Sequence, residues 1–292
     1  MNDQDAHFDS LLPPLRLNRR GFMATTVATG FSLAAGQAVA QTTITTDVNG
    51  LVAGKVDIPV KDGKMPAYRA APKGKKDLPT VLVVSEIFGV HEYIQDVCRR
   101  LAHQGYLAIA PELFARQGDP SKYTEIPKLQ AEIIGKVPDA QVMSDLDSTA
   151  AWATSNGGNP DRLGIVGFCW GGRQVWLYAA HNPKLKAGAA WYGQLGGQPS
   201  ELKPKSVLSQ VNDLKAKVLG AYGGKDAGIS MADVDKMRLE LAQGPAAAKA
   251  SRIDVYPDAP HAFHADYRPS YRKAEAEQAW TRMLDWFKQN GL

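Results

Sequence analysis

The sequence predicts an α/β fold with a mostly parallel central sheet and helices on both faces. Three observations carry that expectation. Apolar, β-branched runs recur at 80–84, 107–110 and 163–168, and continuous rather than alternating runs mark strands buried on both faces. Stretches of helical spacing separate them, so right-handed crossovers set the strands in parallel. The 292 residues are 44% hydrophobic and 22% charged, globular values that exclude disorder as the main state. Two cysteines exclude a disulfide scaffold. A net charge of +4, spread along the chain, is too weak to argue for nucleic acid.

The length suits one large domain plus an additional segment, and that segment comes first. Residues 1–18 are polar. They lead into Asn18-Arg19-Arg20-Gly21-Phe22-Met23, a mild apolar stretch over 24–35, and Ala38-Val39-Ala40. A charged region, a short apolar run and a small-residue site describe a cleaved secretory signal peptide. The paired arginines resemble the twin-arginine signal, so the expectation is export by the twin-arginine machinery, cleavage after Ala40 and a periplasmic product. The apolar run is too short and too mild to span a bilayer, and no other segment approaches that length, so stable membrane insertion is not expected. Residues 41–292 carry no internal repeat or low-complexity linker and read as one domain.

Within that domain, residues 42–70 alternate apolar and polar, with turn signals at Asn49-Gly50 and Asp62-Gly63. Alternation predicts antiparallel strands at the sheet edge. The first buried strand, 80–84, is followed by a helix over 92–104 that places Ile94, Val97, Cys98, Leu101 and Ala102 on one face. Gly105 stops it, and Cys98 reads as core. A strand at 107–110 precedes helices at 121–136 and 139–155. The strand at 163–168 leads to a helix at 170–180 and a strand at 186–192. Strands at 217–222 and 253–256 flank a helix near 230–243, and an amphipathic helix over 271–289 ends the chain. Ligands of such sheets bind at the carboxyl ends of the strands.

At one such end, strand 163–168 runs into Gly167-Phe168-Cys169-Trp170-Gly171-Gly172 and then a helix. This is the G-x-nucleophile-x-G elbow of an α/β-hydrolase fold, with Cys in place of Ser. The flanking glycines let strand and helix approach closely, which throws the Cys169 side chain upward. The helix N-terminus beneath it favours thiolate. A Cys nucleophile needs a base and a group to orient the base, and this fold orders them nucleophile, acid, His. Asp226 follows strand 217–222 in Gly223-Gly224-Lys225-Asp226. His261 follows strand 253–256 in Pro260-His261-Ala262-Phe263-His264. His264 is the rival base, and His261 is preferred because it lies nearer the strand end. His91, His103 and His181 have no comparable setting and read as structural or solvent-facing. The oxyanion hole needs two backbone N–H groups, from Trp170 after the nucleophile and from Ile87 in the loop Ser85-Glu86-Ile87-Phe88-Gly89-Val90. Glu86 then points toward the elbow, where a carboxylate opposes thiolate formation.

Four motifs in this order resemble the dienelactone hydrolase family: Glu-Ile-Phe-Gly-Val at 86–90, the Cys169 elbow, Tyr-Gly-Gly-Lys-Asp ending at Asp226, and His-Ala-Phe-His from His261. The resemblance covers roughly residues 50–290. It implies an α/β-hydrolase that opens unsaturated lactones to carboxylates, with Cys169 as nucleophile, His261 as base and Asp226 as its orienter. It also implies that Glu86 controls the resting thiol and that Tyr192 is a strand-end aromatic near the pocket. The family's arginine clamps for the substrate carboxylate are not matched. Ala265 stands at one of those positions, and 120–140 offers Lys122, Lys128 and Lys136 but no Arg. Lysine is a point charge and no bidentate substitute. Arg268 is the remaining candidate cation. The expected function is hydrolysis of small lactones or esters through an acyl-enzyme, without a metal or organic cofactor. A general carboxylesterase or thioesterase is the alternative that the missing clamps favour. A catalytically silent binding module is opposed by the filled triad positions.

Overall fold

The computed structural model describes residues 43–292, and the expected signal peptide at 1–40 lies outside the described residues. Eight strands form one sheet in the order β1-β2-β4-β3-β5-β6-β7-β8. β1 (Leu51–Val60) and β2 (Gly63–Pro72) pair antiparallel, with Val60 opposite Gly63, so the hairpin forms at the expected turn. β2 pairs antiparallel with β4 (Leu107–Pro111). The rest is parallel: β3 (Leu78–Val84), β5 (Gly158–Phe168), β6 (Leu185–Trp191), β7 (Lys217–Gly223) and β8 (Arg252–Tyr256). Val81, Leu82, Val83 and Val84 are fully enclosed. Both faces of their strand are covered, which is why the run is continuous, and each such side chain contributes about 1.5–3 kcal/mol by burial.

The crossovers place the site. α1 (Glu92–His103) joins β3 to β4, and α4 (Trp170–His181) joins β5 to β6. β4 and β6 lie on opposite sides of the β3–β5 pair. Crossovers of one hand therefore put α1 and α4 on opposite faces. The chain parts at β3 and β5, and the crevice outside their carboxyl ends is where ligands of open α/β sheets bind. α2 (Ile126–Glu132) and α3 (Asp139–Ser155) precede β5. α5 (Met231–Gln243) and the short α6 (Ala246–Lys249) lie between β7 and β8. α7 (Lys273–Gln289) ends the fold, its Trp286 indole donating to Gly188 O at 3.1 Å on β6.

One expected helix differs. Over 121–136 the chain makes a 3₁₀ turn at Pro120–Lys122, then α2, then a second turn at Ile134–Lys136. Pro127 supplies no N–H and crowds the preceding turn, so it sits in the first turn of a new helix rather than inside a long one.

Candidate active site

Cys169 caps α4 at φ 54°, ψ −115°, a region that a residue with a side chain enters only under constraint. Its N–H donates to Trp191 O at 3.0 Å, and its carbonyl accepts from Arg173 N–H at 3.3 Å. The glycines supply the rest of the constraint. A methyl group at Gly171 would overlap the carbonyl oxygens of Val84 and Ser85, and one at Gly167 would overlap Gly171 O. The elbow thus packs against the end of β3 at a distance only glycine permits. The Cys169 side chain is 1% exposed.

His261 lies in the loop after β8, with Nδ1 donating to Asp226 Oδ2 at 2.7 Å. The other Asp226 oxygen accepts from the N–H groups of Gly228 at 2.8 Å and Ile229 at 3.2 Å, so the carboxylate cannot rotate freely. Cys169 also lies close enough to act on His261. Burial pulls the His261 pKa down, but the Asp226 charge, Cys169 and the hydrogen bond to Asp226 raise it to about 10. The three residues read from the elbow, the Gly turn and the last loop therefore meet. His264 does not join them. Its ring is stacked between Phe168 and Trp280, its Nδ1 lies 2.6 Å from the Tyr93 hydroxyl, and burial pushes its pKa far down.

Trp170 is the first residue of α4, so its N–H has no acceptor within the helix. Its ring packs on Phe114 at 4.7 Å. Ile87, the expected second donor, is buried in the loop after β3, the strand next to β5. Glu86 in that loop is also buried. Its Oε2 accepts from the Tyr267 hydroxyl at 2.5 Å and lies 3.4 Å from His91 Nε2. Burial alone would raise the Glu86 pKa, but His91, the Arg268 charge and Tyr267 together hold it below the usual value. Tyr192, at φ 39°, sets its ring 5.1 Å from His261. Burial, Glu86 and Cys169 push its pKa well up, so it stays a neutral phenol.

Arg268 is 4% exposed and acts on Glu86, Tyr192 and Tyr267, whereas Lys122, Lys128 and Lys136 are exposed and outside this group. Ala265 is fully buried. His91, Tyr93 and Tyr267 carry no motif, and only the buried loop around His261 hinted that its later residues turn inward. His91, read as structural or solvent-facing, instead sits beside Glu86. Cys98 is buried on α1, and neither Cys98 nor Cys169 is in a disulfide. Among the described residues, no three His, Cys, Asp or Glu side chains are grouped to hold a metal ion.

The model of the dienelactone hydrolase family matches residues 65–291. A Methylorubrum extorquens protein, provisionally named carboxymethylenebutenolidase, is 57% identical over 289 residues, 99% of this chain and 98% of the relative. An Escherichia coli protein of the same provisional name is 54% identical over 270 residues, 92% of this chain and 98% of the relative. The crystal structure of a provisionally named dienelactone hydrolase from Klebsiella pneumoniae superposes with a TM-score of 0.79 at 56% identity, covering 82% of this chain and 99% of that one.

Proposed function

The chain belongs to the dienelactone hydrolase family, and on that premise we propose that it hydrolyses small lactones or esters through Cys169, His261 and Asp226. The observation that carries the reading is the 2.7 Å Asp226–His261 contact, with Cys169 near enough to act on the same imidazole. The Cys169 proton resides on His261, leaving thiolate. The thiolate attacks the carbonyl carbon, and the oxyanion rests on the N–H groups of Ile87 and Trp170. Each such donor lowers the barrier by about 3 kcal/mol. The C–O bond then breaks, and the leaving oxygen takes the proton from His261 Nε2. A water gives a proton to the now neutral His261 and adds to the thioester. The C–S bond breaks, the carboxylic acid leaves and loses its proton to solvent, and thiolate with imidazolium is restored.

Arg268 is the cation we assign to a substrate carboxylate. It is buried beside Glu86, the carboxylate that occupies that place at rest. Export by the twin-arginine route to the periplasm, on the strength of Arg19-Arg20 and Ala38-Val39-Ala40, completes the proposal.

The experiment follows dienelactone hydrolysis by ultraviolet absorbance. Cys169→Ala is expected to lose about 10³-fold or more of kcat with an unchanged melting temperature, and retained activity overturns the nucleophile. Arg268→Gln is expected to raise KM for the anionic lactone about tenfold and to leave a neutral ester unaffected, because only the former presents a carboxylate. Wild-type turnover confined to neutral esters would select a general esterase instead.

A further inference from the structure

The loop that carries His261, residues 257–272, has no helix or strand beyond isolated turns. It is also strained. Ala262, directly after His261, sits at φ 56°. A residue with a Cβ stays in that region only where its surroundings over-determine it. Three contacts to α1 and the loop before it do so. His264 Nδ1 meets the Tyr93 hydroxyl at 2.6 Å, and the Tyr267 hydroxyl donates to Glu86 at 2.5 Å. Between them, the fully buried Asp266 receives Arg100 Nη2 at 2.5 Å.

Arg100 in turn donates through Nε to Asp96 Oδ2 at 2.5 Å, and Arg99 donates to Asp96 Oδ1 at 3.0 Å. Asp96 is buried as well. The segment ahead of β1 closes the cluster. Thr46 N–H donates to Asp96 Oδ1 at 2.5 Å and Thr46 Oγ1 donates to Oδ2 at 3.2 Å, while the Ile44 backbone N–H acts on Asp266. Two buried carboxylates thus face two guanidiniums and two backbone donors.

We propose that Asp266 and Arg100 are positioning residues that hold His261 against Cys169, and that Ile44 and Thr46 form a strap completing their clamp. The proposal rests on the reading of His261 as the base of Cys169. A buried carboxylate stays charged only while paired. Without its partners Asp266 gains a proton or leaves, and the loop is then free to relax Ala262 out of its strained conformation. His261 is one peptide away and moves with it, and a displacement of about 1 Å at a reacting group costs about 10²-fold in rate. The charged and titratable groups facing Asp266 are Arg100, Asp96 and Tyr271. Those facing Arg100 are Asp96, Asp266 and Tyr93, and those facing His261 are Asp226, Cys169 and Tyr192.

The test uses full-length protein and two variants, Asp266→Asn and Thr46→Pro. The second removes both Thr46 donors to Asp96, the N–H and Oγ1, from a partly exposed segment, so it tests the clamp even if Asp266→Asn fails to fold. Iodoacetamide alkylation of Cys169, resolved from Cys98 by mass spectrometry, reads the thiolate without a substrate. Both variants are expected to slow alkylation about fivefold or more near pH 6, and to leave it within about twofold near pH 9.5, because a displaced imidazolium no longer sustains thiolate at low pH. In the hydrolysis assay, kcat should fall in step while KM stays within about twofold. A loop that is merely loosened would expose the thiol and speed alkylation at both pH values. That result, or a wild-type profile in both variants, overturns the clamp. A wild-type protein with no low-pH alkylation overturns the His261–Cys169 pairing itself, and the clamp with it.

Discussion

Asp226 holds His261 with one oxygen and is itself held by two backbone N–H groups through the other. The imidazole it orients therefore keeps its proton. Burial favours the neutral ring, but the Asp226 charge and Cys169 outweigh it and raise the pKa to about 10. A raised value means that the imidazolium, the proposed acid for the leaving group, persists through neutral pH and is lost as pH rises through about 10. The alkaline limb of kcat/KM is expected near that value, against the ordinary histidine value of about 6.5. A pH–rate profile checks this, and an alkaline limb between about pH 6 and 7.5 would contradict it. The three residues of this set were legible because each sits in a short motif at a strand end. The groups around Glu86 were not. Tyr267 reaches it across 181 positions, and a bond of that separation leaves no local pattern in the chain.

At the scale of elements, the buried strands were legible because enclosure on both faces demands unbroken apolar runs, and α1 because its apolar residues share one face, although Asp96 and Arg99 off that face are buried as well. Ends were less so. The strand expected at 163–168 begins earlier, at Gly158, where Leu78 pairs before the register shifts between Leu78 and Thr80. Such a break in the ladder accommodates Pro160, which a regular central ladder would reject, and no sequence period announces it. The β3–α4 contact is decided by a single atom's absence. Gly171→Ala places a methyl against Val84 O and Ser85 O, so α4 must shift and carry Cys169 with it. Overpacking of this kind destabilises by about 1–3 kcal/mol, or roughly 2–4 °C in melting temperature per kcal/mol for a chain of this size. Thermal unfolding should show that loss together with reduced kcat. An unchanged melting temperature would mean that strand and helix have more slack than the packing indicates.

The whole molecule bears on how Cys169 could survive outside the cytoplasm. The site draws on residues from Glu86 to Arg268, so it exists only after β3 through β8 have assembled. Before that, Cys98 and Cys169 are two exposed thiols that an oxidising compartment would pair or oxidise. After it, both are buried and neither is in a disulfide. A route that carries folded protein would deliver the proposed nucleophile already enclosed, which makes the proposed export signal at Arg19-Arg20 consistent with the proposed cysteine chemistry. Among the described residues no helix is long and apolar enough to cross a membrane, so the proposed export rests on the leader sequence. Replacing both arginines, Arg19→Lys with Arg20→Lys, is expected to leave the full-length chain in the cytoplasmic fraction, while the native protein appears in the periplasm beginning at Gln41 with Cys169 still alkylatable. Fractionation with intact-mass measurement decides it. The same mass and location for both proteins would remove the export proposal while leaving the hydrolase reading intact.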